Sequence, residues 1–271
     1  MMALDARVQT FHDLHRSGCF VIPNPWDVGS ARMLARLGFA ALATTSSGFA
    51  WSRGRADNHV TLTEALEHFR TMAVSVGIPL NGDFEGGFAV EPHDVAGNVA
   101  LATTTGVAGL SIEDSTGNAA NPLIEFELAV ERIRAARRAI DESDTGVLLT
   151  ARTEGFIVGR PDLTETTRRL RAFRDAGADC LYAPGIRTRH QIAAVVAAAA
   201  PKPVNVLVGA DFTTVAELRD LGVRRVSVGG ALARSAWTGF LASAREIADL
   251  GTFANLGQSI PFAEINELFS E

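Results

Sequence analysis

Eight short apolar runs alternate with longer amphipathic ones along this 271-residue chain. The short runs fall at 19–23, 40–44, 78–83, 109–113, 147–152, 180–184, 203–208 and 224–229. Helical spacing fills the intervals at 28–37, 63–76, 93–105, 126–140, 163–176, 189–199, 213–221 and 231–250. Gly38, Gly77, Gly106, Gly177 and Gly222 each follow a helical run, where a left-handed terminating residue is expected. Thr61 and Thr63 offer N-caps to the second of these helices. Regular alternation of this kind predicts a parallel sheet buried on both faces, because each crossover helix covers one. Eight repeats in a chain of this length predict closure into a (β/α)8 barrel.

No proline- or serine-rich linker divides the chain, so residues 1–250 are read as the catalytic barrel. This includes an N-terminal helix around Val8, Phe11 and Leu14 that packs beneath it. Residues 251–271 form a C-terminal helical extension, in which Pro261 opens a short helix carrying Phe262, Ile265, Leu268 and Phe269. Such a segment is too short to stand alone. It packs either on its own barrel or on a neighbouring subunit, and the helix at 231–250 is the other candidate for exchange.

Hydrophobic residues make up 47% of the chain, enough for a large core. A formal charge of −6 argues against nucleic-acid binding, which calls for a basic patch. The two cysteines, Cys19 and Cys180, lack metal-ligand spacing and read as reduced core thiols, consistent with a cytoplasmic protein. No run of about eighteen apolar residues predicts a membrane span, and residues 1–16 lack the apolar core of a secretion signal.

Barrel enzymes carry their sites at the carboxyl ends of the strands. There the chain places Asn24-Pro25-Trp26-Asp27, Thr44-Thr45-Ser46-Ser47-Gly48, Asp83-Phe84-Glu85, Ile112-Glu113-Asp114, Ala151-Arg152-Thr153-Glu154, Tyr182, Asn205 and Ser227-Val228-Gly229-Gly230. Asp83 and Glu85 would face one point if the strand ran on through Glu85. Asp27, Asp83, Glu85, Glu113, Asp114 and Glu154 are expected at one mouth, with Arg152 the evident cation. So many carboxylates repel one another unless a cation sits among them. An all-oxygen donor set suits Mg2+, with Mn2+ as a substitute, better than zinc. Asp27 is read either as a supporting acid or as a helix cap, and Arg152 either as a substrate contact or as a structural partner of Glu113 or Glu154.

The phrases Trp26-Asp27-Val28-Gly29-Ser30-Ala31, Ser46-Ser47-Gly48-Phe49-Ala50, Asp83-Phe84-Glu85-Gly86-Gly87, Ser111-Ile112-Glu113-Asp114, Ala151-Arg152-Thr153 and Arg225-Val226-Ser227-Val228-Gly229 resemble the isocitrate lyase/phosphoenolpyruvate mutase superfamily in order and spacing, from about residue 16 to 245. The resemblance implies Mg2+ dependence, a small anionic 2-oxo or 2-hydroxy acid substrate, and C–C or C–P chemistry through an enolate. It implies direct metal contact by Asp83, with Glu85 and Glu113 acting mainly through water. It assigns substrate binding to Ser46, Ser47, Gly48, Asp83, Arg152 and Asn205, and catalytic roles to Arg152, Glu113 and Asp57, the last in positioning substrate or water. It also implies a homo-oligomer, a dimer or a tetramer with exchanged C-terminal helices.

Two loops bear on the chemistry. The first, residues 51–59, carries Arg53, Arg55, Asp57 and His59, of which His59 reads as a surface residue. The second, residues 115–122, carries Asn118 and Asn121. It lacks the lysine–cysteine–histidine element of the isocitrate and methylisocitrate lyases, and only its asparagines echo the mutase branch. The expected function is a Mg2+-dependent C–C lyase acting on a 2-oxo dicarboxylate or related 2-hydroxy acid, similar to an oxaloacetate decarboxylase. The alternatives are phosphonopyruvate hydrolase or phosphoenolpyruvate mutase-like chemistry, and a non-catalytic barrel that binds 2-oxo acids.

Overall fold

The computed structural model describes residues 4–270. The outermost ends of the two expected regions, residues 1–3 and 271, lie outside the described residues, as does the start of the stretch read for a secretion signal. Eight parallel strands form one sheet in a (β/α)8 arrangement. They are β1 (Phe20–Ile22), β2 (Leu42–Ala43), β3 (Leu80–Asp83), β4 (Gly109–Glu113), β5 (Leu148–Arg152), β6 (Cys180–Tyr182), β7 (Val204–Leu207) and β8 (Arg225–Ser227). Each strand ladders with the next from β2 to β8, and β8 pairs with β1. The remaining seam, between β1 and β2, is spanned by the Ala43 N–H donating to the Pro23 carbonyl at 3.1 Å.

Helix α1 (Ala6–Arg16) closes the amino-terminal end of the barrel. Its Phe11 is fully buried against Ile22, Ala41, Ala108 and Leu148. The ring lies so close to β4 that a Cβ at Gly109 would come within 2.6 Å of it, so glycine is required there. The crossover helices are α2 (Val28–Arg36), α4 (Leu62–Ser75), α5 (Pro92–Thr103), α6 (Phe126–Glu142), α7 (Leu163–Asp175), α8 (Arg189–Ala199) and α9 (Val215–Asp220), with α10 (Ala231–Leu250) after β8. Thr61 caps α4 with Glu64 reaching back, while Gly38, Gly106, Gly177 and Gly222 are left-handed as expected. Gly77 is not among the left-handed residues, because α4 already ends at Val76, which is extended.

One helix departs from the expected pattern. The stretch after β2 is a short helix, α3 (Ser46–Ser52), capped by Thr45, rather than a strand end running into a loop. Beyond α10 come a 3-10 turn (Ala254–Gln258) and α11 (Phe262–Leu268). Arg36 of α2 donates to the carbonyls of Glu267 and Leu268, so the end of α11 reaches back to its own barrel. Phe240, Leu250, Phe253 and Phe262 remain exposed.

Candidate active site

A cavity of about 270 Å³ opens at the carboxyl ends of the strands. Its wall takes Thr45, Ser46 and Ser47 from the start of α3, and Asp57 from the following loop. Asp83, Arg152 and Tyr182 come from the ends of β3, β5 and β6. Asn205, Arg225 and Ser227 line it from β7 and β8.

Arg152 organises the charges. Its Nη1 lies 2.7 Å from Asp83 Oδ1, its Nη2 3.2 Å from Glu113 Oε2 and its Nε 3.0 Å from Glu154 Oε1. Its guanidinium sits 5.0 Å from the centre of the Tyr182 ring. Burial works against this charge, but Glu154, Glu113 and Asp83 outweigh it and hold the arginine pKa well above its ordinary value. The ion pairs with Glu113 and Glu154 bear out the structural reading of Arg152, and the same side chain lines the cavity. Tyr182 is pushed up to about 12, chiefly by burial, so it stays a phenol and a hydrogen-bond donor.

Asp83 is held from three sides. Its Oδ2 accepts the Ser46 N–H at 3.0 Å, its Oδ1 accepts the Ser111 hydroxyl at 3.3 Å, and its own N–H donates to Thr44 Oγ1 at 2.9 Å. Glu85 does not extend the strand. β3 ends at Asp83 and Glu85 turns into the left-handed region at φ 47°, so same-face alternation is not what relates these two acids. The Glu113 N–H still donates to the Glu85 carbonyl at 2.9 Å, which holds the turn against β4. Burial, then the charges of Asp83 and Asp57, push the Glu85 carboxyl up to about 8. Desolvation and the Asp83 charge likewise raise Asp57, which is exposed to solvent on one side. Glu113 is raised well above its ordinary value by burial and by Glu154, Asp83 and Glu85, against the pull of Arg152.

Glu85 and Glu113 face a second cavity of about 760 Å³, which Asn58, His59 and Asn118 also line. The two loops singled out in the sequence thus meet there. Asn121 points elsewhere, its N–H donating to the Asn118 carbonyl at 3.1 Å.

Two expected members leave the cluster. Asp27 is exposed and caps α2, accepting the Ser30 N–H at 2.7 Å; capping satisfies a free helix N–H and so draws the side chain away from the mouth. Asp114 is buried under the strand end, paired with Arg169 at 2.9 Å and accepting the Glu154 N–H. Gly48 stands behind the cavity wall, its N–H directed at Thr45 Oγ1. Asn205 lines the cavity, but its amide donates to Ser227 Oγ and accepts from Arg225 Nε, both at 2.9 Å. Cys180 is fully buried at the start of β6, whereas Cys19 is only partly covered.

Four contributors to which the sequence assigns no role join the site. Tyr182, Arg225 and Asn24 line the cavity. Arg132 of α6 is almost fully buried and donates to the carbonyls of Gly86, Ala89 and Glu113, clamping the turn that carries Glu85. A lone arginine in a helical pattern gives no hint of its partners; only the fold supplies them.

The residues fit a divalent cation of the magnesium type. The donors near Asp83 are all oxygens, and Glu85 and Asp57 are raised first by burial and then by the neighbouring Asp83 charge, which a cation among them would offset. No three His, Cys, Asp or Glu side chains converge tightly enough among the described residues to wrap an ion directly. Such a cation would be held by one or two carboxylates and otherwise through water, as Mg2+ prefers.

An eight-stranded barrel with carboxylates and one arginine gathered at the strand ends defines a barrel enzyme of the lyase and mutase class. The phosphoenolpyruvate phosphomutase family profile matches residues 11–248, and the chain belongs to that family. An uncharacterized Mycobacterium tuberculosis (strain H37Rv) protein is 34% identical over 94% of both chains. An oxaloacetate decarboxylase from Bradyrhizobium diazoefficiens is 33% identical over 51% of this chain and 48% of its own. Among solved structures, a Burkholderia cenocepacia J2315 protein described as a lyase/mutase superposes with a TM-score of 0.95, at 46% identity over 98% of this chain and 96% of that one. Oxaloacetate acetylhydrolase bound to its product oxalate superposes with a TM-score of 0.86, at 28% identity over 97% and 93%.

Proposed function

We propose that this chain is a Mg2+-dependent carbon–carbon lyase acting on a small 2-oxo dicarboxylate or related 2-hydroxy acid through an enolate. Oxaloacetate decarboxylation is its most concrete form. The observation that carries this reading is Arg152, held between Asp83, Glu113 and Glu154 at the wall of a small polar cavity. The oxaloacetate-acting relatives support the same substrate class.

Asp83 would hold the cation directly, with Glu85 and Glu113 acting through water. When bound, the cation supplies Lewis-acid polarisation of a 2-oxo acid and offsets negative charge developing on its oxygens. The remaining chemistry belongs to the side chains. A guanidinium has five N–H donors; Arg152 directs three at carboxylates, leaving two for an oxygen on which charge develops as the bond breaks. The Ser47 hydroxyl, with Ser46 beside it, orients the substrate carboxylate, and Asp57 positions substrate or water at the mouth. The neutral amides and hydroxyls of Asn205 and Ser227 line the deep end. Mn2+ would substitute for Mg2+ in the same oxygen set.

Phosphonopyruvate chemistry is the second reading, favoured by the family profile itself. The loop bearing Asn118 offers a phosphonate dianion no lysine or arginine between residues 115 and 122. A binding role without turnover is the third. A substrate panel with Mg2+, read by product mass spectrometry, separates them: oxaloacetate, phosphonopyruvate and 2-methylisocitrate. Metal-dependent pyruvate from oxaloacetate is the expected result. Turnover of phosphonopyruvate alone would replace the first reading with the second, and binding without any product would favour the third.

The exposed apolar side chains of α10 and α11 support a homo-oligomer, a dimer or a tetramer, in which C-terminal helices pack against or exchange with a neighbour. Residues 1–250 then act as the catalytic unit and 251–271 as the joining segment. No helix among the described residues is long and apolar enough to cross a membrane, and both cysteines are free, which supports a cytoplasmic setting.

A further inference from the structure

Arg225 carries a buried positive charge with no negative partner. It opens β8, is 3% exposed, and lines the cavity whose other end holds Asp83 and Arg152. Its three polar contacts are all neutral: Nε donates to Asn205 Oδ1 at 2.9 Å, Nη2 to Thr150 Oγ1 at 3.0 Å, and Nη1 meets His15 Nε2 at 3.3 Å. His15 supplies no charge of its own. Its Nδ1 lies 2.7 Å from the Phe11 carbonyl and serves as donor there, leaving Nε2 as an acceptor. Burial and the charge of Arg225 hold this imidazole neutral, down to about 3. Among the described residues no carboxylate lies within ion-pair distance of Arg225.

An arginine cannot shed its proton to escape burial. An unpaired charge in a barrel interior is costly unless something in the functional state answers it. Thr150, which Arg225 contacts, precedes Arg152 by two residues on β5 and faces the same side. Arg225 therefore meets β5 one inward-facing position, about 7 Å along the strand, before Arg152. Two of the five N–H donors on Arg225 remain without a protein partner. The cavity thus has an acid-lined mouth with Arg152 at its wall and an uncompensated cation at depth.

We propose that Arg225 seats a second carboxylate of the substrate at the deep end of the cavity, making it the residue that selects diacids over monoacids. This rests on the 2-oxo acid reading of the Asp83–Arg152 end and adds to it the far-end specificity. An arginine on a carboxylate that leaves as CO2 would stabilise the ground state more than the transition state. Arg225 therefore suits a far carboxylate that stays on the substrate, which within the proposed lyase class favours C–C cleavage that keeps this group over decarboxylation.

Calorimetric titration in Mg2+ tests this with two five-carbon probes that differ only in the far charge, 2-oxoglutarate and 2-oxovalerate. The folded wild-type protein should bind the diacid about ten- to a hundredfold more tightly, as expected for one charge-assisted pair. Arg225→Met should bring the ratio close to one, and Arg225→Lys should retain part of it. Asn205→Asp keeps the side-chain shape while placing a carboxylate beside the guanidinium, and should also erase the preference; it decides the matter if Arg225→Met does not fold. A wild-type protein indifferent to the far charge, or a preference unchanged in Arg225→Met or Asn205→Asp, would overturn the assignment. If wild type binds neither acid, this assignment fails, while oxaloacetate turnover in the substrate panel decides the 2-oxo acid reading separately. Binding of both acids without dependence on Arg225 removes only the far-end assignment.

Discussion

Arg152 Nη1 and Asp83 Oδ1 lie 2.7 Å apart, and this ion pair joins the end of β5 to the end of β3 across the cavity wall. The same guanidinium reaches Glu113 and Glu154, so one planar head sets the positions of three carboxylates. A lysine carries the charge on a single nitrogen and cannot reproduce that fork. Arg152→Lys should keep its fold and lose about a hundred- to a thousandfold in kcat/KM. Steady-state kinetics beside a circular dichroism melt would check this, and a wild-type rate would show the arginine to be purely structural.

Asp83→Ala removes the proposed direct ligand and leaves the Ser46 N–H and one arm of Arg152 without their acceptor. Mg2+ affinity measured by calorimetry should drop beyond detection, and turnover with it. Undiminished turnover of this variant in the presence of chelator would end the metal reading.

His15 predicts a pH dependence of stability. Its folded-state pKa is lowered from 6.5 to about 3, so below pH 6.5 the unfolded chain binds a proton that the folded chain refuses. Its contribution is complete above pH 6.5 and is lost as pH falls towards 3, by about 2 kcal/mol on going from pH 7 to pH 5. The raised carboxyls of Glu85 and Glu113 act with the opposite sign, stabilising at low pH and losing that contribution as pH rises. The informative quantity is thus the difference between wild type and His15→Gln in urea midpoints at pH 7 and pH 5. A constant difference would mean that His15 accepts its proton in the folded state.

Gly48 is fixed by space. A Cβ there would lie 2.7 Å from Thr45 Cγ2 and 2.9 Å from Trp26 Cβ. Gly48→Ala should cost about 1–3 kcal/mol through overpacking and displace the α3 end of the cavity wall. A differential scanning calorimetry trace with unchanged Tm would show that the wall gives way freely.

Arg132→Met should loosen the turn between Asp83 and β4, since three backbone carbonyls lose their buried donor. A stability loss of about 2–4 kcal/mol should come with weaker Mg2+ binding, because Glu85 rides on that turn. Unaltered metal affinity in a destabilised variant would separate the clamp from the site.

The barrel was legible because its signals are local. The strands at 109–113 and 180–182 are short apolar runs, and a left-handed glycine such as Gly177 marks where a helix stops whatever lies around it. Asp83 and Arg152 were legible because they end such strands. Helix α3 was not, since Ser46-Ser47-Gly48 are weak helix formers whose helix depends on the Thr45 cap and on packing against Trp26. The strand stops at Asp83, so the condition for same-face alternation with Glu85 is not met, and of the two readings of Asp27 the helix cap is the one the structure bears out. Arg225, seen only as the first residue of a family phrase, and Arg132 have no role readable in the sequence, because the meaning of a buried charge lies in its partners, which come from distant parts of the chain.

Asn24 bridges the β1–β2 seam. Its amide donates to the Thr44 carbonyl at 3.1 Å and its Oδ1 accepts the Val228 and Gly229 N–H groups at 2.9 and 2.8 Å. One side chain thus fastens the sparsely bonded edge of the ring, like the pin of a clasp. The cost of spreading the barrel is lowest at that edge, and Thr45, Ser46 and Gly229 stand directly above it. Amide exchange should be fastest at Ala43 among the strand residues, so the doorway to the cavity breathes where the ring is pinned rather than laced.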